Sequence, residues 1–333
     1  MRFNLYQVVF LAKSPIHIGE KRLGFIQRTR YYIPGKSLWG AVTEDLTRAL
    51  FSQPQYANYI SIGEIVKKAL IFSYFFITLN KDDLSKAFIP SLKEKPLKYG
   101  FGDAQISQME FEETFLSSYG STAIEPKSNT ALEASLHGIE YLNHLVRYKN
   151  KLRRVFFGGY LWAKAGEYPL DTDRKLTIQC AADNIIFSLA GGKPKPLKDV
   201  LNSFQIGGEK NYGRGTLALH FLTATSSNTK LWGKYQAGID GDSPFLQVDE
   251  ENPIPAHLSL ETLSVPNTNA CSISGDLEPL TGREYDEKRG VGYKFGYEGV
   301  YYVPGSIVLN DSLSALVGKY GTLQYSVKNC RRN

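Results

Sequence analysis

Ten residues, IGGEKNYGRG from Ile206 to Gly215, constrain this 333-residue chain more tightly than any other stretch. Glycines at 207, 208, 213 and 215 permit backbone angles that a Cβ forbids, and they let main-chain N–H groups approach a ligand closely. A concave run of such groups suits an anion. Lys210 and Arg214 add positive charge and Tyr212 a stacking face. Phosphate held by backbone beside a stacked base is how proteins grip single-stranded RNA. The spacing is not that of a Walker loop, because no Gly-Lys-Ser or Gly-Lys-Thr closes it. Nor is it a dinucleotide fingerprint, because the strand-like TLALHFLTA follows it and not a helix. Alone, the same residues equally describe a tight turn that positions the last strand.

Charge is unevenly spread. Up to Ala224 there are 29 Lys and Arg against 20 Asp and Glu, a net of +9; from Thr225 onward there are 10 against 13, a net of −3. The first part therefore suits a polyanion and the second a protein partner. Aromatic residues make up 13 %, with 21 tyrosines, a type that serves both base stacking and interfaces. The longest apolar run, Ala69 to Leu79, is too short for a membrane span, and no cleavage site follows the N-terminal apolar stretch; a cytoplasmic protein is expected. Cys180, Cys271 and Cys330 form no CxxC pair, which excludes a zinc-finger pattern and leaves three reduced thiols. No metal or cofactor is implied.

Along the chain, residues 3–12 read as a strand and SPIHIGEKRLGFIQRTRYY as a loop. A helix then follows Pro34-Gly35 with Ser37 as N-cap, and Leu38, Val42, Leu46, Ala49 and Leu50 on one face. Gly40, costly inside a helix, suggests a close backbone or RNA approach. A second helix, SIGEIVKKAL, leads into a strand or strand pair at 69–79. Residues 81–150 read as an insertion, helical around Thr130 to Val146. A strand over Arg154 to Ala165 carries a bulge at Gly158-Gly159. Helical material around 181–189 and 196–204 precedes the glycine-rich loop and the last strand, 215–224. This order is the βαββαβ of a ferredoxin-like, RNA-recognition-module-like α+β domain, 1–224, with an insertion at about 81–150. A β-rich domain, 225–333, follows; YYIPGKSLWG at 31–40 and YYVPGSIVL at 301–309 share a core that suggests two degenerate copies of one unit.

SPIHIG at 14–19, YIPGKSLWGA at 32–41 and IGGEKNYGRG at 206–215 occur in the order seen in the RAMP superfamily of CRISPR effector proteins, which this chain resembles from about residue 5 to 310, apart from the insertion. The segment GREYDEKRGVGYKFGYEGVYYVPGSIV is similar to the reduced second ferredoxin-like domain of the RAMP group that binds the crRNA 5′ handle in type III effectors, most like the type III-D subunit. The resemblance implies a non-catalytic RNA-binding subunit. Its partners would be crRNA, the large polymerase-like subunit and the backbone RAMP subunits, with target RNA read indirectly by guide pairing. A precursor-processing endoribonuclease and a backbone or distal RAMP subunit are the alternatives.

The implied RNA-binding residues are Gly207, Gly208, Lys210, Tyr212, Gly213, Arg214 and Gly215. To these the reading adds Lys36, Ser37 and Trp39, where helix N-terminal amides meet phosphate, and Arg28 and Arg30, alternating on one strand. Trp39 serves equally as core, and the arginines equally as a solvated edge. RAMP relatives that cut RNA use a histidine as general acid–base, which makes His17 the one catalytic alternative. It lies between Ile16 and Ile18 with no titratable neighbour, as a structural histidine does. His137 and His144 are two helical turns apart but lack a third ligand, and the carboxylates of Asp82-Asp83 and Glu112-Glu113 lie in surface-like runs.

Overall fold

The computed structural model describes residues 2–94, 96–102, 105–226, 229–261, 272–286 and 289–325, with backbone alone for 283–286 and 290–292. Cys271 and Cys330 lie outside this set; Cys180 is a half-buried free thiol. The architecture is α+β and strand-rich, with 47 % strand against 18 % helix, so packed sheets set its shape.

The central strand, β1 (Phe3–Ala12), is apolar on both faces and is buried on both. Tyr6, Val8 and Phe10 point to one side, where α1 (Gly35–Leu50) and α2 (Tyr56–Ala69) supply Leu38, Val42, Leu46, Ile62 and Val66. Phe3, Leu5 and Val9 point to the other, toward Trp232, Tyr235 and the C-terminal strands. Two-sided burial of one strand is the reason both halves of the chain share it, each fully buried side chain contributing about 1.5–3 kcal/mol.

The 69–79 run is the expected strand pair, β2 (Leu70–Phe72) and β3 (Phe75–Thr78), broken at Ser73-Tyr74. Both pair antiparallel with β4 (Phe156–Lys164), which pairs with β1; on the far side of β1 lies β5 (Thr216–Thr225). The order is β5-β1-β4-β3, extended by Phe204–Gln205 at one edge and Tyr32–Ile33 at the other. A second sheet runs from Lys230–Leu231 through Tyr235–Asp240, Ser243–Val248, Leu313–Val317, Leu323–Tyr325, Leu258–Ser259 and Gly290–Tyr302 to Leu277–Asp286.

Several local expectations are corrected. Residues 19–29 form a hairpin, Gly19–Leu23 with Ile26–Thr29, turned at Gly24. Helix α1 begins at Gly35 with Pro34 as N-cap and no side-chain cap, so Ser37 lies inside it. A Cβ on Gly40 would meet nothing within 4 Å, so no backbone approaches there. The insertion's helix is Gln108–Phe115, and the expected helix around 130–146 is instead strand, Thr130–Ala131, His137–Leu142 and part of Leu145–Tyr148. The 181–189 segment is also strand, Ile185–Leu189, because Ile185 and Phe187 are buried while Ile186 and Ser188 are not, a period of two. Within the expected 196–204 helix only Leu197–Val200 is helical. Finally, β4 pairs with β1 without a register shift through Gly158-Gly159, so there is no bulge. Those glycines make room: a Cβ would lie 2.2 Å from Leu84 at 158 and 2.6 Å from Phe75 at 159.

Candidate nucleic-acid interface

The glycine-rich loop bridges Phe204–Gln205 and β5 at the end of the sheet where β1 runs out. Its glycines are committed largely to the chain itself. Gly208 N–H donates to His17 O at 2.9 Å, and Gly215 N–H donates to Pro15 O at 2.8 Å. Gly207 and Gly215 have φ of 77° and 81°, and a Cβ on either would sit 2.1 Å from a carbonyl oxygen, that of His17 or Ile206. The expected open nest is thus partly filled by residues 13–17. Gly213, also at positive φ (74°), faces open space at the tip of a short 3-10 turn, Lys210–Tyr212.

The side chains of that turn remain accessible. Tyr212 is 80 % exposed. Lys210 Nζ reaches Glu44 Oε2 on α1 at 3.0 Å, a half-exposed pair of the sort worth about 0–1 kcal/mol. A charge-assisted hydrogen bond to phosphate is worth about 1.5–3 kcal/mol and outweighs it. Asp45, next on α1, is pushed up to about 6 by burial and then by Glu44, against the pull of Arg48 and Lys210. Arg214 lies with its guanidinium over the Tyr141 ring at 4.4 Å and near Tyr119 at 5.8 Å. Among the described residues its Nη1, although buried, has no hydrogen-bond partner. Such an unmet donor is rare and calls for an acceptor.

His17 is 4 % exposed; its Nδ1 lies 2.7 Å from Glu140 O, and its carbonyl holds Gly208. Glu140 also accepts from Thr29 N–H at 3.0 Å and pairs with Arg28 at 3.4 Å, so Arg28 belongs to the same neighbourhood as the loop. Arg30 follows the end of Ile26–Thr29 and is aimed elsewhere, at Glu278 Oε1, 2.7 Å away. Both arginines border one polar cavity of about 480 Å³ between the hairpin and Leu277–Asp286.

The N-terminus of α1 stands apart from the loop. Gly35 is so closely faced by Tyr320 O and Phe72 O that a Cβ would lie 2.3 and 2.5 Å from them. Lys36 pairs with Glu298 at 3.2 Å, and Trp39, half-buried, donates Nε1–H to Gly63 O at 2.8 Å. His137 is on a strand and His144 follows it, so they share no helical face. Among the described residues no three His, Cys, Asp or Glu are grouped to hold a metal, and no helix is long and apolar enough to cross a membrane.

The sequence reading missed Tyr119 and Tyr141 as partners of Arg214. They lie on the paired strands Leu116–Ser121 and His137–Leu142, inside the expected insertion, where residues around Tyr141 read as helix and the alternation in EYL was the available signal.

No family model matches the chain, and no curated protein matches it. It is similar to a chain of the Type III-B Cmr-beta complex, solved by cryo-EM bound to cognate target RNA and AMPPnP in state 1, at 10 % identity and TM-score 0.49, covering 91 % of this chain and 85 % of that one. It is also similar to a chain of Cmr-beta bound to cognate target RNA, at 11 % identity and TM-score 0.45, covering 96 % and 99 %. A chain of the apo complex matches at 11 % and TM-score 0.36, over 66 % and 97 %. At such identities and scores the functional reading rests on this chain's own residues.

Proposed function

We propose that this chain is a RAMP-type, non-catalytic RNA-binding subunit of a type III CRISPR effector. It would hold the crRNA 5′ handle and join the large polymerase-like subunit to the RAMP backbone. The observation that carries the reading is convergence. Segment 14–19, the helix begun by 32–41 and loop 206–215, far apart in sequence, meet where Pro15 and His17 hold the loop's glycines and Glu44 holds Lys210. Arg214's guanidinium, half-buried against Tyr141, and exposed Tyr212 then place a cation beside a stacking face. The strand order β5-β1-β4-β3, all antiparallel, supports a ferredoxin-like unit ending near 224, with the β-rich remainder as its reduced companion.

A cleaving role for His17 has less support. The His17 imidazole is buried, at 4 % exposure, and so is poorly placed to take a proton from a ribose 2′-OH. Two measurements test these statements. Changing Lys210, Tyr212 and Arg214 together to alanine should strip crRNA from the purified effector; full retention would refute the loop's role. Incubating the isolated protein with repeat RNA should leave the RNA intact, whereas a cut abolished by His17→Ala would make the chain an endoribonuclease.

A further inference from the structure

A second groove lies away from the glycine-rich loop, between the end of β3 and a hairpin formed by Leu145–Tyr148 and Lys151–Arg154. Its volume is about 1120 Å³. Six cations line it: Lys81, Lys86, Lys149, Lys151, Arg153 and Arg154. Among the described residues Asp82 is the one carboxylate in its wall, and it pairs with Lys81 at 2.7 Å. Lys86 is matched by Asp83 at 3.2 Å. The four hairpin cations are exposed, and among the described residues no carboxylate pairs with them.

The hairpin holds them in a fixed array. Lys149 and Asn150 both have positive φ, 47° and 60°, the two-residue turn that matches the twist of paired strands. Val146 is buried in the core, and Val155 N–H and O, at the hairpin's base, bond His144 O and Ala12 N–H. Residues 151 and 153 lie two apart along a strand, roughly 6–7 Å, and face the same way. Four aromatic rings share the wall with Leu79, Leu152 and small polar residues: Phe101 and Phe156 are half-buried, and Tyr148 packs edge-on against Phe88.

We infer that this groove is a second RNA site, taking single-stranded RNA along the hairpin, with phosphates on Lys151, Arg153 and Arg154 and bases against the aromatic wall. Unpaired cations in register beside ring faces are what a nucleotide strand uses; an acidic peptide would leave the rings unused. The groove lies at the same end of the central sheet as the loop, because residues 12–17 join the hairpin base to the loop. The choice of RNA as the polyanion rests on the proposed function; the site's basic, aromatic character does not.

The test uses the full chain and a fluorescent single-stranded RNA of ~12 nucleotides, within the span of such sites. Binding is followed by anisotropy across a salt series. Lys151→Gln, Arg153→Gln and Arg154→Gln together should weaken binding about tenfold. They should also lower the slope of log affinity against log salt by about 2, as three phosphate contacts require. The variant of Lys210, Tyr212 and Arg214 should keep that part of the slope. Unchanged affinity and slope in the glutamine variant would overturn the groove while leaving the loop standing; loss confined to the glutamine variant would uphold the groove and remove the loop. Should the glutamine variant not fold, ultraviolet cross-linking of the wild-type chain decides: adducts within 148–156 support the site, and their absence beside adducts elsewhere overturns it. Displacement by polyglutamate as effective as by unlabelled RNA would also overturn it.

Discussion

Gly207 and Gly213 are both at positive φ, yet they answer to different constraints. At 207 a side chain would collide with His17 O, whereas at 213 it would enter open space. Gly213→Ala should therefore cost only the backbone term, about 1 kcal/mol, and Gly207→Ala clearly more, because the collision is with backbone. Denaturant unfolding of the two variants checks the ranking. Lys210 gives a second prediction at this scale: Glu44→Gln releases it from its ion pair, so RNA affinity should rise a few-fold in an anisotropy titration. The loop's composition was legible in the sequence. That His17 and Pro15 would occupy its N–H groups was not, since those partners lie some 190 residues away and only the fold brings them there.

At the scale of elements, the strands of the central sheet were readable because β3 and β4 are largely apolar runs of strand length and β1 alternates loosely between apolar and polar residues. The misread elements have one cause. Segments 137–142 and 185–189 mix apolar, glycine and polar residues in lengths where helical and alternating spacings overlap, and only the packed neighbour decides. Gly158 and Gly159 follow the same logic: a double glycine in a strand suggested a bulge, while the real reason lies across the sheet in Leu84 and Phe75. Gly159→Val should destabilise the protein by about 1–3 kcal/mol through overpacking against the Phe75 ring. A thermal melt indistinguishable from wild type would contradict that account of the sheet.

Across the whole molecule, the N-terminal sheet is tied to the C-terminal strands by one buried polar chain. The Tyr74 hydroxyl lies 2.5 Å from His257 Nδ1, His257 Nε2–H donates to Glu278, and Glu278 accepts from Arg30. Burial, foremost, holds His257 below its ordinary 6.5 and keeps it neutral. Burial alone would raise the Glu278 carboxyl, but His257 and Arg30 outweigh it and hold it at about 2. The unfolded histidine gains a proton as pH falls below 6.5 while the folded one resists, so stability declines from there. The Glu278 contribution is complete above 4.5 and is lost as pH falls toward 2. Stability measured by denaturant at successive pH values should thus fall steadily on acidification. Glu278→Gln, which leaves Arg30 without its carboxylate, should cost about 3 kcal/mol at pH 7 and flatten the acid limb. None of this chain was visible in the sequence, where Arg30 reads as an RNA contact alternating with Arg28, and His257 and Glu278 lie more than 220 residues further on.

The same molecule-wide view puts the two basic surfaces at one end of the central sheet, with the glycine-rich loop as the primary grip. Ultraviolet cross-linking of RNA in the native effector, with the attached peptides mapped by mass spectrometry, tests that grip most directly. Adducts on Tyr212 and its neighbours within 206–215 are the predicted result. Adducts elsewhere on the chain with none in that loop would contradict it.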